Sequence, residues 1–399
     1  MRSIADLGDA LPALFGAFLV AAALSLVLTP IARSRALTLG VVDRPNHRRV
    51  NVRPVPRGGG LAMGSAFLLV AALLVVANDQ WKIVGARTNL EPGELVALLG
   101  GGAAAMLLGA LDDWLDLRAR WQMLGQLGLA GLAIVLGIEI ASVNNPFTSF
   151  PLSFAEPFAA GFTLLWIVGM INSVNFIDGL DGLSSGIGLI AAITLGVLSL
   201  TTQVNQPFVA ALCFALAGSL IGFLRWNFHP ATVFPGSSGT TFVGFSLAVL
   251  SILGSAKVAV ALLVLGVPII DAFWIIVRRL VAGRSPFAPD RGHLHHRLLD
   301  LGLTHRQTVV LIYLICVGLG VLSLVLSGAN QVYAFLGVFV GIGLLLLFIA
   351  GDGFGDHALE AESYVDMDAT VEEAGTPAPR ESGRSEARRV TRPEVGRPG

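Results

Sequence analysis

The sequence predicts an all-α fold, a polytopic helical bundle with about eleven membrane-spanning helices. Hydrophobic residues make up 54% of the 399 residues and charged residues only 13%, whereas a soluble domain usually carries roughly 25% charged residues. The mean hydropathy is +0.75, and the apolar residues form runs long enough to cross a bilayer core, which takes about 20 helical residues. The composition therefore excludes a soluble globular protein, a disordered protein and a basic nucleic-acid-binding protein.

Eleven apolar runs account for the predicted helices. In chain order they lie near 10–30, 59–77, 93–111, 121–140, 157–172, 183–201, 206–224, 240–255, 256–276, 307–326 and 331–350. The pair at 240–276 is the least distinct, because Gly254 and Ser255 mark a tight turn and each half is short. A single kinked helix there would give ten spans. Both cysteines, Cys213 and Cys316, fall inside apolar runs, which excludes a disulfide framework and a thiolate metal cluster.

Loop charges predict the orientation, because cytoplasmic loops are enriched in Lys and Arg. With the N-terminus outside, the inward loops hold 16 arginines. The outward segments then hold four basic residues: Arg2, Lys82, Arg87 and Lys257. We therefore expect an N-out, C-in arrangement for a transmembrane domain over 1–350. Residues 351–399 carry 11 acidic and six basic residues among Pro, Gly and Ser, a composition typical of disorder, and predict a disordered cytoplasmic tail.

Polar segments cluster on the inward side of this arrangement. They begin near Asp43, Asp112, Asn172, Arg225 and Ser285, whereas the outward loops contain nothing comparable. A transporter is expected to place its polar groups around a pathway at the middle of the membrane. The one-sided pattern instead favours an active site at the cytoplasmic face.

The second inward loop begins with three carboxylates at the end of an apolar helix: Asp112, Asp113 and Asp116. Asp116 shares a helical face with both of the others, and such carboxylates repel one another unless a cation is near. A solvated ion cluster with Arg118 and Arg120 explains the pattern as well as a metal-binding or general-base role does.

Four amide and carboxylate residues recur every three positions in the third loop: Asn172, Asn175, Asp178 and Asp181. Nine residues turn an α-helix by about 180°, so the four cannot form one straight stripe, and Gly179 and Gly182 predict a break that folds the second half back. Oxygen ligands brought together in this way suit Mg²⁺ and phosphate, and we place Asn172 among the substrate-binding candidates. Capping of the helix near 183 explains Asp181 alone.

The fifth inward loop joins an arginine to histidines: Arg291, His293, His295 and His296. Arginine suits bidentate phosphate binding, and the histidines are candidate donors, bases or zinc ligands. No cysteine or helical histidine spacing supports zinc, and contact with lipid head groups explains the loop equally well. Phe234 beside glycines either stacks on a base or packs in the membrane.

Taken together, these segments resemble the polyprenyl-phosphate N-acetylhexosamine-1-phosphate transferases. The similar motifs are VDRPNHRR…PVPRGGGLAM, GALDDWLDLRAR, NSVNFIDGLDGL and SPFAPDRGHLHH, in the family's order, from about Gly40 to Gly302. The resemblance implies that a polyprenyl phosphate attacks the β-phosphorus of a UDP-linked N-acetylhexosamine and releases UMP, with Mg²⁺ or Mn²⁺ as cofactor. It also implies a multi-pass protein of the bacterial plasma membrane that contacts lipid. A homodimer is compatible with it.

The same resemblance implies roles for single residues. Asp112 and Asp113 match the acidic pair that acts on the acceptor phosphate, and Asp178 and Asp181 match the nucleotide-side carboxylates. Asn175 matches an amide near the metal. The substrate-binding matches are Asn227 and Phe234, with Phe234 stacked on uracil, and Arg291, His293 and His295 on the diphosphate. We place the adjacent His296 among the substrate-binding candidates as well.

Two positions bear on the branch of the family and on its metal. The muramyl-pentapeptide branch has a lysine where this chain has Asp116, which favours the N-acetylglucosamine branch. Gly236-Ser237-Ser238-Gly239 stands where the family normally has Gly-Asp-x-Gly, so Ser237 occupies the position of a metal-ligand aspartate. The neutral hydroxyl predicts weaker metal binding and makes a non-catalytic, polyprenyl-phosphate-binding relative the alternative.

Overall fold

The computed structural model describes residues 4–43, 54–84, 90–143, 145, 152–202, 204–253, 258–283, 285, 292–326 and 328–351. Within these ranges the protein is all-α, as predicted. The helices are α1 Ile4–Leu39, α2 Gly59–Trp81, α3 Pro92–Leu115, α4 Ala119–Val135, α5 Glu156–Ile177, α6 Leu183–Leu200, α7 Pro207–Asn227, α8 Gly236–Ile252, α9 Val258–Val264, α10 Gly266–Val281, α11 Leu294–Asp300, α12 His305–Val325 and α13 Ala329–Gly351. Arg291, Gly254, Ser255 and the predicted tail from 352 onward lie outside the described residues.

Seven of the described helices are long and apolar enough to cross a membrane, and an eighth candidate is a bent pair. The chain is therefore a multi-pass membrane protein by helix length and composition. Each of the eleven predicted runs coincides with a helix or with the bent pair. α4 and α8 have only 17 residues each, so the count of eleven stays a prediction.

The bent pair is α9 and α10, which meet at an angle of 78°. α8 ends at Ile252 and α9 begins at Val258, so two helices flank the turn that the sequence predicts at Gly254. The sharp bend at Leu265 is an additional break that the sequence analysis did not predict. Pro268 is the third residue of α10 and has no N–H to donate to the carbonyl of Val264, which weakens the helix at this point.

The centre of the bundle is α8, whose residues from Ser238 to Ser251 are all buried. It packs against α2, α3, α5, α6 and α9. The second close interface joins α7 to α1, where Gly218 and Gly222 face the α1 backbone. A Cβ at these positions would lie 2.1 Å from the carbonyl oxygen of Phe18 and 2.3 Å from that of Ala22, respectively. This spacing of small residues allows close packing of membrane helices.

A short hairpin connects the first inward loop to the fourth. Its strands, β1 Val42–Asp43 and β2 Val55–Pro56, pair antiparallel. The backbone then bridges from Arg57 to Phe234, and the carbonyl of Phe234 accepts the N–H of Gly59 at 3.0 Å. A second hairpin, β3 Ser142–Val143 with β4 Leu152–Ser153, lies between α4 and α5.

Candidate active site

A cavity of about 500 Å³ lies where α3, α5 and α7 end and where α6 and α8 begin. It brings together residues from the second, third and fourth inward loops and one from the fifth: Asp112, Asp113, Asn172, Asn175, Asp178, Asp181, Asn227, Phe234, Ser237 and His296. Asp43 of the first loop also lines it, so segments up to 253 residues apart in the chain share one site. The site residues that the sequence pattern places in separate loops are neighbours in space.

Asp113 binds the beginning of α8. Its Oδ1 accepts the N–H of Ser237 at 2.8 Å and its Oδ2 accepts the N–H of Ser238 at 3.0 Å. These are amides that a helix leaves unpaired at its N-terminus, where a negative charge is favourable. Gly236 has φ +67°, and a Cβ there would lie 2.5 Å from Asp113 Oδ2. The carboxylate is therefore fixed in orientation, with 9% of the residue exposed.

Asp112 stabilises the turn between α3 and α4. Its Oδ1 accepts the N–H of Leu117 at 3.0 Å and the side-chain amide of Gln122 at 2.7 Å. Asp116 ends α3 in the left-handed region, at φ +46°, with its side chain 89% exposed. Asp112 thus contacts amides, and the arginine paired with the cluster among the described residues is Arg57, 3.6 Å from Asp116, in place of the predicted Arg118 and Arg120.

The third loop breaks where the glycines predicted it. α5 ends at Ile177, and Gly182, at φ +81°, is the N-cap of α6. Capping by the Asp181 side chain is therefore wrong as an explanation of that residue. Asp178 accepts the Ser184 hydroxyl at 2.5 Å. Burial raises the pKa of Asp178 to about 7, with Asp113 and Asp181 acting in the same direction and Arg57 opposing them.

The two asparagines of α5 are both hydrogen-bonded. Asn172 Nδ2 donates to Gln126 Oε1 at 2.6 Å, and Asn175 Oδ1 accepts the hydroxyl of Thr240. Gln122 and Gln126 also line the cavity, although the sequence argument did not single them out. They lie four residues apart on α4, which was treated only as an apolar run.

Asp181 contacts the fourth loop. Its Oδ2 lies 2.7 Å from His229 Nδ1 and accepts the N–H of Ala231 at 3.0 Å. The His229 ring stacks on His305, with ring centroids 4.2 Å apart. Ligand atoms of Asp181, His229 and His305 all lie within 4.8 Å of one another, yet the 2.7 Å contact is a hydrogen-bond distance. The sequence analysis did not single out either histidine as a site residue. The signal that could have identified His229 was its position two residues after the candidate Asn227.

Asn227 and Phe234 lie at opposite ends of the fourth loop, after α7 and before α8 respectively. Asn227 is 1% exposed, accepts the hydroxyl of Ser185 at 2.9 Å and donates to the carbonyl of Val233 at 3.0 Å. Phe234 is fixed by its backbone bonds to the first-loop hairpin. Both line the cavity, with the Asn227 amide already engaged in shaping the loop.

His293 and His295 of the fifth loop lie outside the cavity lining, whereas His296 is part of it. His293 Nδ1 lies 2.7 Å from Asp271 Oδ2, and the N–H of Leu294 donates to Asp271 Oδ1 at 2.8 Å. The buried His295 ring packs against Gly179, and its burial keeps the pKa of the imidazole well below its usual value. The sequence signal for Asp271 was a lone carboxylate in an apolar run, which is costly at membrane depth.

The charges and donor atoms of the cavity suit a divalent cation. Six carboxylates line it: Asp43, Asp112, Asp113, Asp116, Asp178 and Asp181. Arg57 is the single lysine or arginine among the described lining residues. Hard oxygen donors are the ligands that Mg²⁺ prefers, so the chemistry of the site fits this ion, with Ser237 adding a neutral oxygen.

Comparison with known proteins gives two consistent findings. The sequence model of glycosyl transferase family 4 matches residues 95–255. The chain is 35% identical over 344 residues to the "Probable undecaprenyl-phosphate N-acetylglucosaminyl 1-phosphate transferase" of Bacillus subtilis (strain 168), which covers 84% of this chain and 89% of the relative.

Two further relatives extend the similarity. The "Decaprenyl-phosphate N-acetylglucosaminephosphotransferase" of Mycolicibacterium smegmatis is 31% identical over 377 residues, covering 87% of this chain and 91% of the relative. The "Undecaprenyl-phosphate alpha-N-acetylglucosaminyl 1-phosphate transferase" of Escherichia coli (strain K12) is 29% identical over 295 residues, covering 71% of this chain and 76% of the relative.

Proposed function

The chain belongs to glycosyl transferase family 4, and from this premise we propose that it transfers N-acetylglucosamine 1-phosphate from UDP-N-acetylglucosamine to a polyprenyl phosphate. The observation that carries the proposal is the single cavity at the ends of the apolar helices, which unites the carboxylate and amide motifs. The names of the relatives support the sugar and the class of lipid. The product would start the synthesis of a cell-envelope polysaccharide.

The reaction joins two anions. A phosphate oxygen of the lipid forms a bond to the β-phosphorus of the donor, and the bond from that phosphorus to the bridging oxygen breaks, so that UMP leaves with the electron pair. Catalysis of this kind depends on alignment and charge neutralisation. Asp112 and Asp113 would orient the acceptor phosphate, whereas Asp178 and Asp181 would lie on the nucleotide side with Asn227 and Phe234.

A divalent cation is part of this proposal. Mg²⁺, or Mn²⁺ in its place, would neutralise the diphosphate and the departing UMP when bound. Asn175, Ser237 and the cavity carboxylates are the residues that would hold it. Since Mg²⁺ keeps several waters and often uses substrate phosphates as ligands, a serine at position 237 is compatible with metal that arrives with the donor.

We place the protein in the bacterial plasma membrane, with eleven spans, the N-terminus outside, and the cavity and tail in the cytoplasm. The support is the split of 16 inward arginines against four outward basic residues, together with the bacterial origin of the relatives. Donor nucleotide and lipid phosphate would then meet at the cytoplasmic membrane surface. A homodimer stays a prediction.

A radiochemical assay tests the function. Purified protein in lipid nanodiscs receives undecaprenyl phosphate, Mg²⁺ and labelled UDP-N-acetylglucosamine, with UDP-N-acetylgalactosamine and UDP-MurNAc-pentapeptide in parallel. We expect lipid-linked label and stoichiometric UMP with the first donor, and loss of both in EDTA. Transfer from the pentapeptide donor alone would move the chain to the peptidoglycan branch, which the names of its relatives do not favour.

The second candidate is a non-catalytic protein that binds polyprenyl phosphate, and the observation that favours it is Ser237. It predicts binding of the lipid without UMP release from any of the three donors. The carboxylates of the acidic pair and of the third loop are all retained, which favours the enzyme.

A further inference from the structure

Arg57 lines the cavity and directly follows strand β2. Its N–H donates to the carbonyl of Val41 at 3.1 Å, and the N–H of Phe234 donates to the carbonyl of Pro56 at 2.9 Å. The residue therefore sits between the first-loop hairpin and the loop that carries Phe234. Its backbone position is set by hydrogen bonds on both sides, and it does not depend on a ligand.

The guanidinium of Arg57 is held along one edge. Nε donates to Asp43 Oδ1 at 3.0 Å, and one terminal nitrogen bonds to the same oxygen. The other terminal nitrogen, Nη1, lies 3.6 Å from Asp116 Oδ1, an ion pair too long to be a hydrogen bond. The Asp43 side chain is 4% exposed and that of Arg57 is 19% exposed, so the buried carboxylate holds the arginine while the arginine lines the cavity.

The charge of Arg57 acts on the site. Its guanidinium lies in the same cavity as the nucleotide-side carboxylates Asp178 and Asp181. Among the described lining residues it is the one permanent cation beside six carboxylates. A cavity of this composition repels phosphates unless a cation and an oriented donor receive them.

We propose that Arg57 is a substrate-binding residue whose Nη1 edge binds a phosphoryl oxygen, with Asp43 as the positioning residue that fixes the guanidinium. The proposal rests on the proposed function and adds a residue to it. Arginine suits this task because its planar fork gives directed N–H groups to phosphate. The phosphoryl oxygen belongs either to the donor diphosphate or to the lipid phosphate, and separate titrations distinguish the two.

The competing explanation is that Arg57 and Asp43 form only a structural ion pair that stabilises the hairpin. Both explanations predict that loss of the arginine harms the protein. They differ in what loss of the aspartate does, and in whether the affinity for one substrate changes alone.

The experiment compares R57Q, R57K and D43N with the wild type. For each we measure kcat, and KM separately for UDP-N-acetylglucosamine and for undecaprenyl phosphate, and thermal stability in the same nanodiscs. R225Q is the matched control, because Arg225 lies over the ring of Trp226 and is not among the cavity-lining residues. It should retain the wild-type constants.

We expect R57Q to raise KM for one substrate by at least about tenfold, equal to about 1.4 kcal/mol, and to leave KM for the other within about twofold. R57K should recover part of the loss, since it keeps the charge but not the fork. D43N should have a smaller effect on the same KM. The substrate whose KM changes identifies the phosphate.

Equal changes in both KM values and in kcat for R57Q and D43N, tracking a common loss of stability, would overturn the proposal. So would unchanged KM values in a folded R57Q. If R57Q does not fold, R57K is judged by the same criterion, which is a rise in KM for one substrate without a rise in KM for the other. Calorimetric titrations with UMP and with undecaprenyl phosphate distinguish a failure of the proposed transferase function from a failure of the proposed role of Arg57. An inactive wild type refutes the transferase, whereas a wild type and R57Q that bind both ligands equally refute the role of Arg57.

Discussion

Asp112 and Asp113 are adjacent in the chain, yet they contact different parts of the molecule. Asp113 accepts two amides at the beginning of the central helix α8, and Asp112 accepts an amide and a glutamine in the turn after α3. Asp113 therefore couples the acidic pair to the packing of the bundle. Its removal should affect stability as well as the reaction.

We expect D112N and D113N each to lower turnover by at least about tenfold, a loss of about 1.4 kcal/mol of transition-state stabilisation. D113N should also lower the free energy of unfolding by about 1 kcal/mol, the usual value of a helix N-cap, whereas D112N should lower it less. Turnover and thermal unfolding of the same preparations measure both effects. D79N is the control, because the Asp79 side chain is 76% exposed and does not line the cavity. If folded D112N and D113N both keep wild-type turnover, the two carboxylates have a structural role only and do not act in the reaction.

Ser237 brings a hydroxyl to the cavity at the position where the family resemblance implies a carboxylate. Replacing a charged ligand by a neutral one weakens Mg²⁺ binding by the free protein. We expect S237D to lower the Mg²⁺ concentration for half-maximal activity and to raise turnover at limiting metal. S237N, of similar size but uncharged, should behave like the wild type. Coincident Mg²⁺ titrations of S237D and the wild type would refute this explanation.

At the scale of elements, the contact of Asp181 with His229 ties the α5–α6 turn to the loop after α7, and the stacked His305 brings in the beginning of α12. Arg306, next in the chain, donates to the carbonyl of His229 at 3.1 Å. Three elements therefore meet at His229 and orient the Asp181 carboxylate. His229 is a positioning residue in this arrangement.

We expect H229A to raise KM for the UDP-linked donor by about tenfold and to change KM for the lipid much less. H229N should recover part of the affinity, because its amide can donate from nearly the position of Nδ1. Steady-state kinetics in both substrates measure this split. Loss of kcat alone, with KM for the donor unchanged in H229A, would show that Asp181 does not need this partner.

The sequence predicted the elements well and the contacts between them only in part. Periodic apolar runs gave the helices, and the glycines at 179 and 182 gave the break after α5, because both are local properties. The contacts made by Asp271, His229 and Arg57 were missed, since each depends on residues that are distant in the chain or on a register that no local pattern sets. The missed bend at Leu265 had a local signal in Pro268.

At the scale of the whole molecule, the cavity lies at one end of the bundle. α2 begins and α5 ends beside it, and both helices have over 20 residues, so their other ends lie about 30 Å away. Lys82 and Ala155 mark those far ends, next to α2 and α5. The described arginines Arg57, Arg118 and Arg306 lie at the cavity end, and the positive-inside rule predicts that this end faces the cytoplasm.

Cysteine labelling tests this orientation. In a background without Cys213 and Cys316, both buried, single cysteines replace Lys82 and Ala155 on the far side and Arg118 and Arg306 on the cavity side. A membrane-impermeant maleimide added to intact cells should label the first pair, and it should label the second pair only after the membrane is opened. The proposed donor is a cytoplasmic nucleotide sugar, which can reach the cavity only if the cavity opens inward. Labelling of Arg118→Cys in intact cells would therefore overturn both the N-out arrangement and the placement of the reaction.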